Sequence, residues 1–130
     1  MRRLLVIGIL LAVALGFSDR GKAARDPSLA PVSSMTRELI VLETEDCPIC
    51  TLMRSHVAPA YARTPRAQLV PMRFVSLDRI QGQGVRLSAP VTVLPTVVLM
   101  RDGVEIDRIT GYLGAENFLQ VVGSMIGSVD

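Results

Sequence analysis

The chain has 130 residues, which is the size of one domain, and 49% of them are hydrophobic. Its formal net charge is +2, but the first 23 residues hold four of the fourteen basic residues and one of the twelve acids. The remainder therefore has ten basic and eleven acidic residues, a net charge of −1, which excludes a broad basic surface and with it a nucleic-acid partner.

The first 23 residues have the pattern of a secretory signal peptide. Arg2 and Arg3 give a positive start, residues 4–17 form an uncharged apolar run, and small residues precede the expected cleavage after Ala23 or one residue later. An uncleaved membrane anchor is the alternative, but this run is short for a span that needs about 20 residues. No cysteine stands directly after the run, at the place where a lipoprotein would carry its lipid, which excludes a lipoprotein. We therefore predict export to the periplasm, where a disulfide can persist.

Residues 24–37 are predicted to form a flexible N-terminal arm because they contain two prolines and several serines. The folded domain is expected over residues 38–130. A strand is predicted over residues 38–44 from its apolar centre. A helix is predicted from Cys47 to Ala62, with Pro48 in the first turn, where a missing N–H costs nothing. Pro59 lies inside this helix and predicts a kink.

The second half of the chain predicts three more strands and a helix. The strands are expected over 71–77, 96–100 and 104–110, the first after a polar linker and a loop at 78–90 after it. Asp102-Gly103 predicts a hairpin turn between the last two strands. The final helix is expected over 115–126, with an apolar side of Phe118, Leu119, Val122 and Ile126. The order β-α-β-β-β-α predicts an α/β fold, a small mixed sheet flanked by helices.

The chain's two cysteines, Cys47 and Cys50, stand at the corner between the first strand and the first helix. A helix N-terminus favours the thiolate form of a cysteine. Structural zinc usually needs four Cys or His ligands, and His56, the single histidine, falls far around the helix from Cys50. We therefore expect no metal and a surface or partly buried His56. A disulfide between residues this close removes little chain entropy, so a purely stabilising role is disfavoured. The pair predicts a redox dithiol with Cys47 as nucleophile and Cys50 as the resolving thiol.

The element order, the Cys-Pro-Ile-Cys corner and Leu94-Pro95-Thr96 just before a strand together resemble the thioredoxin fold over residues 37–127. Pro95 resembles the cis-proline that packs opposite the active-site cysteines in that superfamily. The segment Gly111-Tyr112-Leu113-Gly114 resembles the glycine pattern ahead of its last helix. The resemblance implies substrate-binding roles for Pro48, Leu94, Pro95 and Thr96.

More narrowly, the export signal, the short middle segment and the Gly-Tyr-x-Gly ending are similar to SoxS-type proteins, the periplasmic thioredoxin-like proteins of sulfur-oxidation operons. This likeness implies a thiol–disulfide oxidoreductase that acts as a reductant and needs no cofactor. It implies a client protein with a reactive cysteine or disulfide as partner. It also implies electrons from a membrane thiol carrier of the CcdA or DsbD kind. We expect the protein to be a monomer.

The chain departs from thioredoxin beside the cysteines. Asp46 stands where thioredoxins have a tryptophan, and Val41 stands where they have a buried aspartate that assists proton transfer. Glu43, Glu45 and Asp46 either belong to a solvated loop or disfavour the thiolate of Cys47 and make the disulfide less oxidising.

Three alternatives stay open at this stage. The Cys-Pro-x-Cys form is shared with glutaredoxins, so a glutathione-linked reductase is one of them. A redox-responsive binding or regulatory module without turnover is the second. A metal carrier that uses the two thiols is the third.

Overall fold

The computed structural model describes residues 36–129, so the predicted signal peptide and nearly all of the predicted arm lie outside the described residues. The elements in chain order are β1 (Arg37–Glu43), α1 (Pro48–Leu52), a π-helical turn (Met53–Val57), α2 (Ala58–Ala62), α3 (Arg66–Leu69), β2 (Met72–Ser76), a 3₁₀ turn (Leu77–Arg79), β3 (Thr96–Arg101), β4 (Val104–Thr110) and α4 (Ala115–Gly127). No helix within this part of the chain is long and apolar enough to cross a membrane.

The four strands form one mixed sheet in the order β2-β1-β3-β4. β1 pairs with β2 in parallel and with β3 in antiparallel orientation, and β3 and β4 form an antiparallel hairpin. The centre of β1, residues 39–42, is fully buried because β1 is an inner strand with both faces covered. The predicted mixed-sheet α/β fold is confirmed.

One face of the sheet carries the helices. Alternate residues of the inner strands, Leu39 and Val41 among them, pack against the helical segment that follows the cysteines and against α4. Tyr61 and Phe118 meet edge to face across this layer, with ring centroids 6.4 Å apart and an interplanar angle of 81°. This packing fixes the helix that carries the cysteines against the central strand.

The opposite face is covered by the segment after β2 and not by a long helix. Ile40, Leu42, Val98 and Met100 point to this side. Five half-buried apolar residues of the covering segment pack on them: Leu77, Ile80, Val85, Leu87 and Val91. The loop that leads to Pro95 is therefore attached to the sheet through its own apolar side chains.

The helix after the cysteines differs from its prediction. Cys47 is the N-cap and the helix begins at Pro48. It widens to a π-turn over Met53–Val57, in which the Ala58 N–H donates to the carbonyl of Met53, five residues back. Pro59 has no N–H to donate, and it falls in the first turn of α2, where none is needed. The sequence predicted a kink at the proline. The structure instead has a change from α-helical to π-helical geometry just before it. The predicted linker after Ala62 also contains a short helix, α3.

The hairpin between β3 and β4 contains a β-bulge that the sequence did not predict. Leu99 pairs with Asp107 but Met100 pairs with Glu105, which leaves Ile106 as the extra residue. The predicted turn is confirmed: Asp102 has a φ of 52° and Gly103 a φ of 77°, and two positive values suit a tight hairpin turn.

Candidate active site

Cys47 and Cys50 are joined by a disulfide, with an S–S distance of 2.03 Å and a Cα–Cα distance of 5.2 Å. Cys47 caps α1, and its Sγ accepts a hydrogen bond from the backbone N–H of Cys50 over 3.1 Å. Cys47 is half-buried, whereas Cys50 is 1% exposed. The sulfur of Cys47 is therefore the one that an incoming group can reach.

The local sequence explains why the pair sits at this corner. β1 ends at Glu43, and a short polar turn leads to Cys47. Pro48 then opens the helix, where its fixed φ suits the first turn. The carbonyl of Cys47 accepts the Thr51 N–H over 3.1 Å, so the first turn closes directly on the capping cysteine.

The loop with Leu94 and Pro95 lies at the same end of the sheet. The register places Thr96, the first residue of β3, opposite Leu42, near the end of β1 that leads to Cys47. The Leu94–Pro95 peptide bond is cis, as the resemblance implied. The carbonyl of Pro95 accepts the Gly111 N–H over 2.8 Å, which ties this loop to the glycine segment after β4.

Thr96 is fully buried, and its hydroxyl donates to the carbonyl of Val93 over 2.7 Å. Its side chain therefore holds the loop before Pro95 and does not face the solvent. The substrate-binding role that the resemblance implied for Thr96 stays a prediction.

Exposed apolar side chains stand on both segments that form the site. Ile49 is 43% exposed and Leu52 39% exposed on the cysteine helix, and Val93 is 47% exposed on the loop before Pro95. Pro48 is exposed and Leu94 half-buried. We call these five residues the active-site rim. Three of them (Ile49, Leu52 and Val93) were not predicted as binding residues, although their closeness in sequence to Cys50 and Pro95 is a usable signal.

The acids before Cys47 are largely paired. Glu43 forms an ion pair with Arg54, whose guanidinium carbon lies 3.9 Å from the centre of the Phe74 ring. Glu45 pairs with Arg79 over 3.3 Å, and both side chains are well exposed. Among the described residues, Asp46 is the one acid of the three without an ion pair. The structure thus balances two of the acids with arginines that the sequence analysis had not connected to them.

The position six residues before Cys47 is apolar. Val41 is fully buried and belongs to the same cluster as Met53 and Val57, so the position that holds an aspartate in thioredoxins holds a hydrocarbon side chain here. His56 is exposed, which agrees with the predicted surface or partly buried position. Within residues 36–129, no group of three or more His, Cys, Asp and Glu side chains could hold a metal ion.

Comparisons with known proteins agree with this geometry. The model of a thioredoxin-like domain matches residues 34–126. The crystal structure of the periplasmic thioredoxin SoxS from Paracoccus pantotrophus, in its reduced form, is similar with 30% sequence identity and a TM-score of 0.66, over 72% of this chain and 99% of that chain. Thioredoxin from Malassezia sympodialis is similar in fold, with 23% identity and a TM-score of 0.51, over 70% of this chain and 77% of that chain. No curated protein sequence matches the chain.

Proposed function

The chain belongs to the thioredoxin-like family, and from this premise we propose that it is an exported thiol–disulfide oxidoreductase that reduces disulfides of client proteins in the periplasm. The observation that carries the proposal is the unequal placement of the two sulfurs. Cys47 caps the helix and is partly accessible, and Cys50 lies behind it and is 1% exposed. One sulfur can meet a substrate, and the other can reach only the first.

In the reduced protein, the Cys47 thiolate attacks one sulfur of a client disulfide. A Cys47–client S–S bond forms, the client S–S bond breaks, and the second client sulfur leaves as a thiolate that takes up a proton. Cys50, deprotonated, then attacks the Cys47 sulfur and displaces the remaining client thiolate. The client has gained two electrons and two protons, and the protein is left with the Cys47–Cys50 disulfide that the structure contains.

The rim supplies the client contact. Ile49, Leu52 and Val93 offer apolar surface on the two segments that flank the disulfide. The backbone around Leu94 and Pro95 would lie alongside the extended client chain, and Pro48 would border its reactive sulfur. Because Thr96 is buried, its part is to hold this loop.

The proposal that the protein reduces its clients, and does not oxidise them, rests on the likeness to the periplasmic SoxS protein and on Asp46. An unpaired acid next to Cys47 disfavours the thiolate and so stabilises the oxidised pair, which makes the reduced pair a better electron donor. We propose that residues 1–23 direct export, that a membrane thiol carrier returns electrons to the pair, and that the client is a protein of the sulfur-oxidation system.

Insulin reduction with dithiothreitol as electron donor tests the activity. The unmodified protein should accelerate the reaction, and Cys47→Ser should not. Cys50→Ser should accumulate mixed disulfides with its clients because the resolving thiol is gone. Full activity in Cys47→Ser would overturn the assignment of the nucleophile. Failure of Cys50→Ser to trap any protein would favour a binding module without turnover.

A further inference from the structure

Two side chains of β4 hold the loop before Pro95. Neither belongs to the helix that follows the cysteines. Glu105 is the carboxylate at the centre of this contact, with its side chain 2% exposed. Arg108 meets it through two parallel hydrogen bonds, Nε to Oε1 over 2.5 Å and a terminal nitrogen to Oε2 over 2.8 Å. Such a planar two-point pair fixes both side chains in one orientation.

The β-bulge in β4 is what makes this pair possible. In a regular strand, residues three apart point to opposite faces. With Ile106 as the extra residue, Glu105 lies across from Met100 and Arg108 lies across from Val98. Met100 and Val98 both face the loop side of the sheet, so Glu105 and Arg108 share that face. Bulges often turn a side chain in this way next to a functional site.

Both side chains also hold backbone groups of the loop. The N–H of Ser88 donates to Glu105 over 2.7 Å. Arg108 donates to the carbonyl of Ala89 over 2.9 Å and to that of Pro90 over 3.2 Å. These three loop residues are exposed, so they gain no anchor from burial of their own side chains. The pair fastens the stretch that leads directly to the rim residues Val93 and Leu94.

We infer that Glu105 and Arg108 are positioning residues for client binding. They set the path of residues 88–94, and Thr96 fixes the last part of that path through its bond to Val93. The inference rests on the proposed function because it concerns the same loop. It predicts that a weakened pair impairs recognition of a protein disulfide and leaves the chemistry of the cysteines intact.

Arg108→Lys is the informative variant because it keeps the positive charge beside Glu105 but loses the planar fork that reaches two carbonyls. Its matched control is Arg73→Lys. Arg73 makes an equivalent two-point pair with Glu38 on the same face at the β2 edge of the sheet, and its loop contact is the carbonyl of Gln83, outside residues 88–94. For insulin we expect Arg108→Lys to raise KM on the order of fivefold with little change in kcat, and Arg73→Lys to keep KM. Both variants should reduce dithiobis(nitrobenzoate), a small disulfide, at the unmodified rate and keep the reduction potential.

An unchanged KM for Arg108→Lys, or an equal rise in Arg73→Lys, would overturn the inference. If Arg108→Lys does not fold, the same measurement on Glu105→Gln decides, because the neutral amide keeps the shape but not the charged pair. If the unmodified protein does not reduce insulin, the proposed function fails. Amide exchange at residues 92–94 then still tests the positioning role: faster exchange in Arg108→Lys than in Arg73→Lys supports it, and equal exchange contradicts it.

Discussion

The backbone N–H of Cys50 donates a hydrogen bond to the sulfur of Cys47 over 3.1 Å, so the main chain of the buried cysteine contacts the sulfur of the accessible one. In the reduced protein this donor favours negative charge on Cys47. We expect a limiting amount of iodoacetamide to alkylate Cys47 well before Cys50. Peptide mass spectrometry of the reduced protein gives the order, and earlier alkylation of Cys50 would reverse the two roles.

The hydroxyl of Tyr61 supplies a second prediction, about stability. It donates to the carbonyl of Val70 over 2.7 Å, and burial raises the pKa of Tyr61 although the nearby charge of Arg66 acts to lower it. Tyr61→Phe leaves that carbonyl without its buried donor, which should lower the free energy of unfolding by about 1–2 kcal/mol. Urea unfolding measures the loss. Tyr112→Phe is the control, since Tyr112 is only half-buried, and an equal loss there would contradict the assignment.

The hairpin turn gives a third prediction with a matched pair of glycines. Gly103 and Gly82 both have positive φ, 77° and 79°. A Cβ at Gly103 would lie 2.7 Å from the carbonyl oxygen of Gly84, whereas one at Gly82 would meet nothing within 4 Å. Both alanine variants carry the backbone strain of about 1 kcal/mol, and Gly103→Ala adds a clash with backbone. Thermal unfolding should therefore rank Gly103→Ala below Gly82→Ala, and equal midpoints would contradict the close approach.

The Glu105 carboxyl gives a fourth prediction, about pH. Burial acts to raise its pKa, but the hydrogen bonds from Arg108 and Ser88 together outweigh burial and hold the pKa below the ordinary value. A carboxyl with a lowered folded-state pKa stabilises the fold above its unfolded pKa of about 4.3, and that contribution disappears as the pH falls through the folded value.

We therefore expect the unmodified protein to lose more free energy of unfolding than Glu105→Gln as the pH falls below about 4.3. Urea titrations at several pH values measure the difference. Glu45→Gln is the control because the Glu45–Arg79 pair is exposed and contributes little. Parallel pH profiles for Glu105→Gln and the unmodified protein would contradict the prediction.

The sequence predicted what local pattern and local chemistry determine. The alternation in residues 104–110, the Asp102-Gly103 turn and the Cys47–Cys50 spacing each depend on neighbours in the chain, and the structure has these elements where they were expected. The cis geometry at Pro95 followed from the resemblance and not from the residues alone.

The features that the sequence did not predict depend on residues that are far apart in the chain and meet only in the fold. The ion pair of Glu43 and Arg54 forms only when the helix packs beside the end of β1. The β-bulge at Ile106 follows from pairing with β3, which no pattern within β4 reveals. The π-turn before Pro59 is a change of helix type within the packed segment, whereas the sequence alone predicted a simple kink.

The reduction potential of the Cys47–Cys50 couple tests the central claim most directly. Equilibration of the protein with dithiothreitol buffers, followed by thiol labelling, gives the value. A client reductase should have a potential of about −270 mV, as thioredoxin has. A value of about −120 mV would make the pair a strong oxidant and contradict the account.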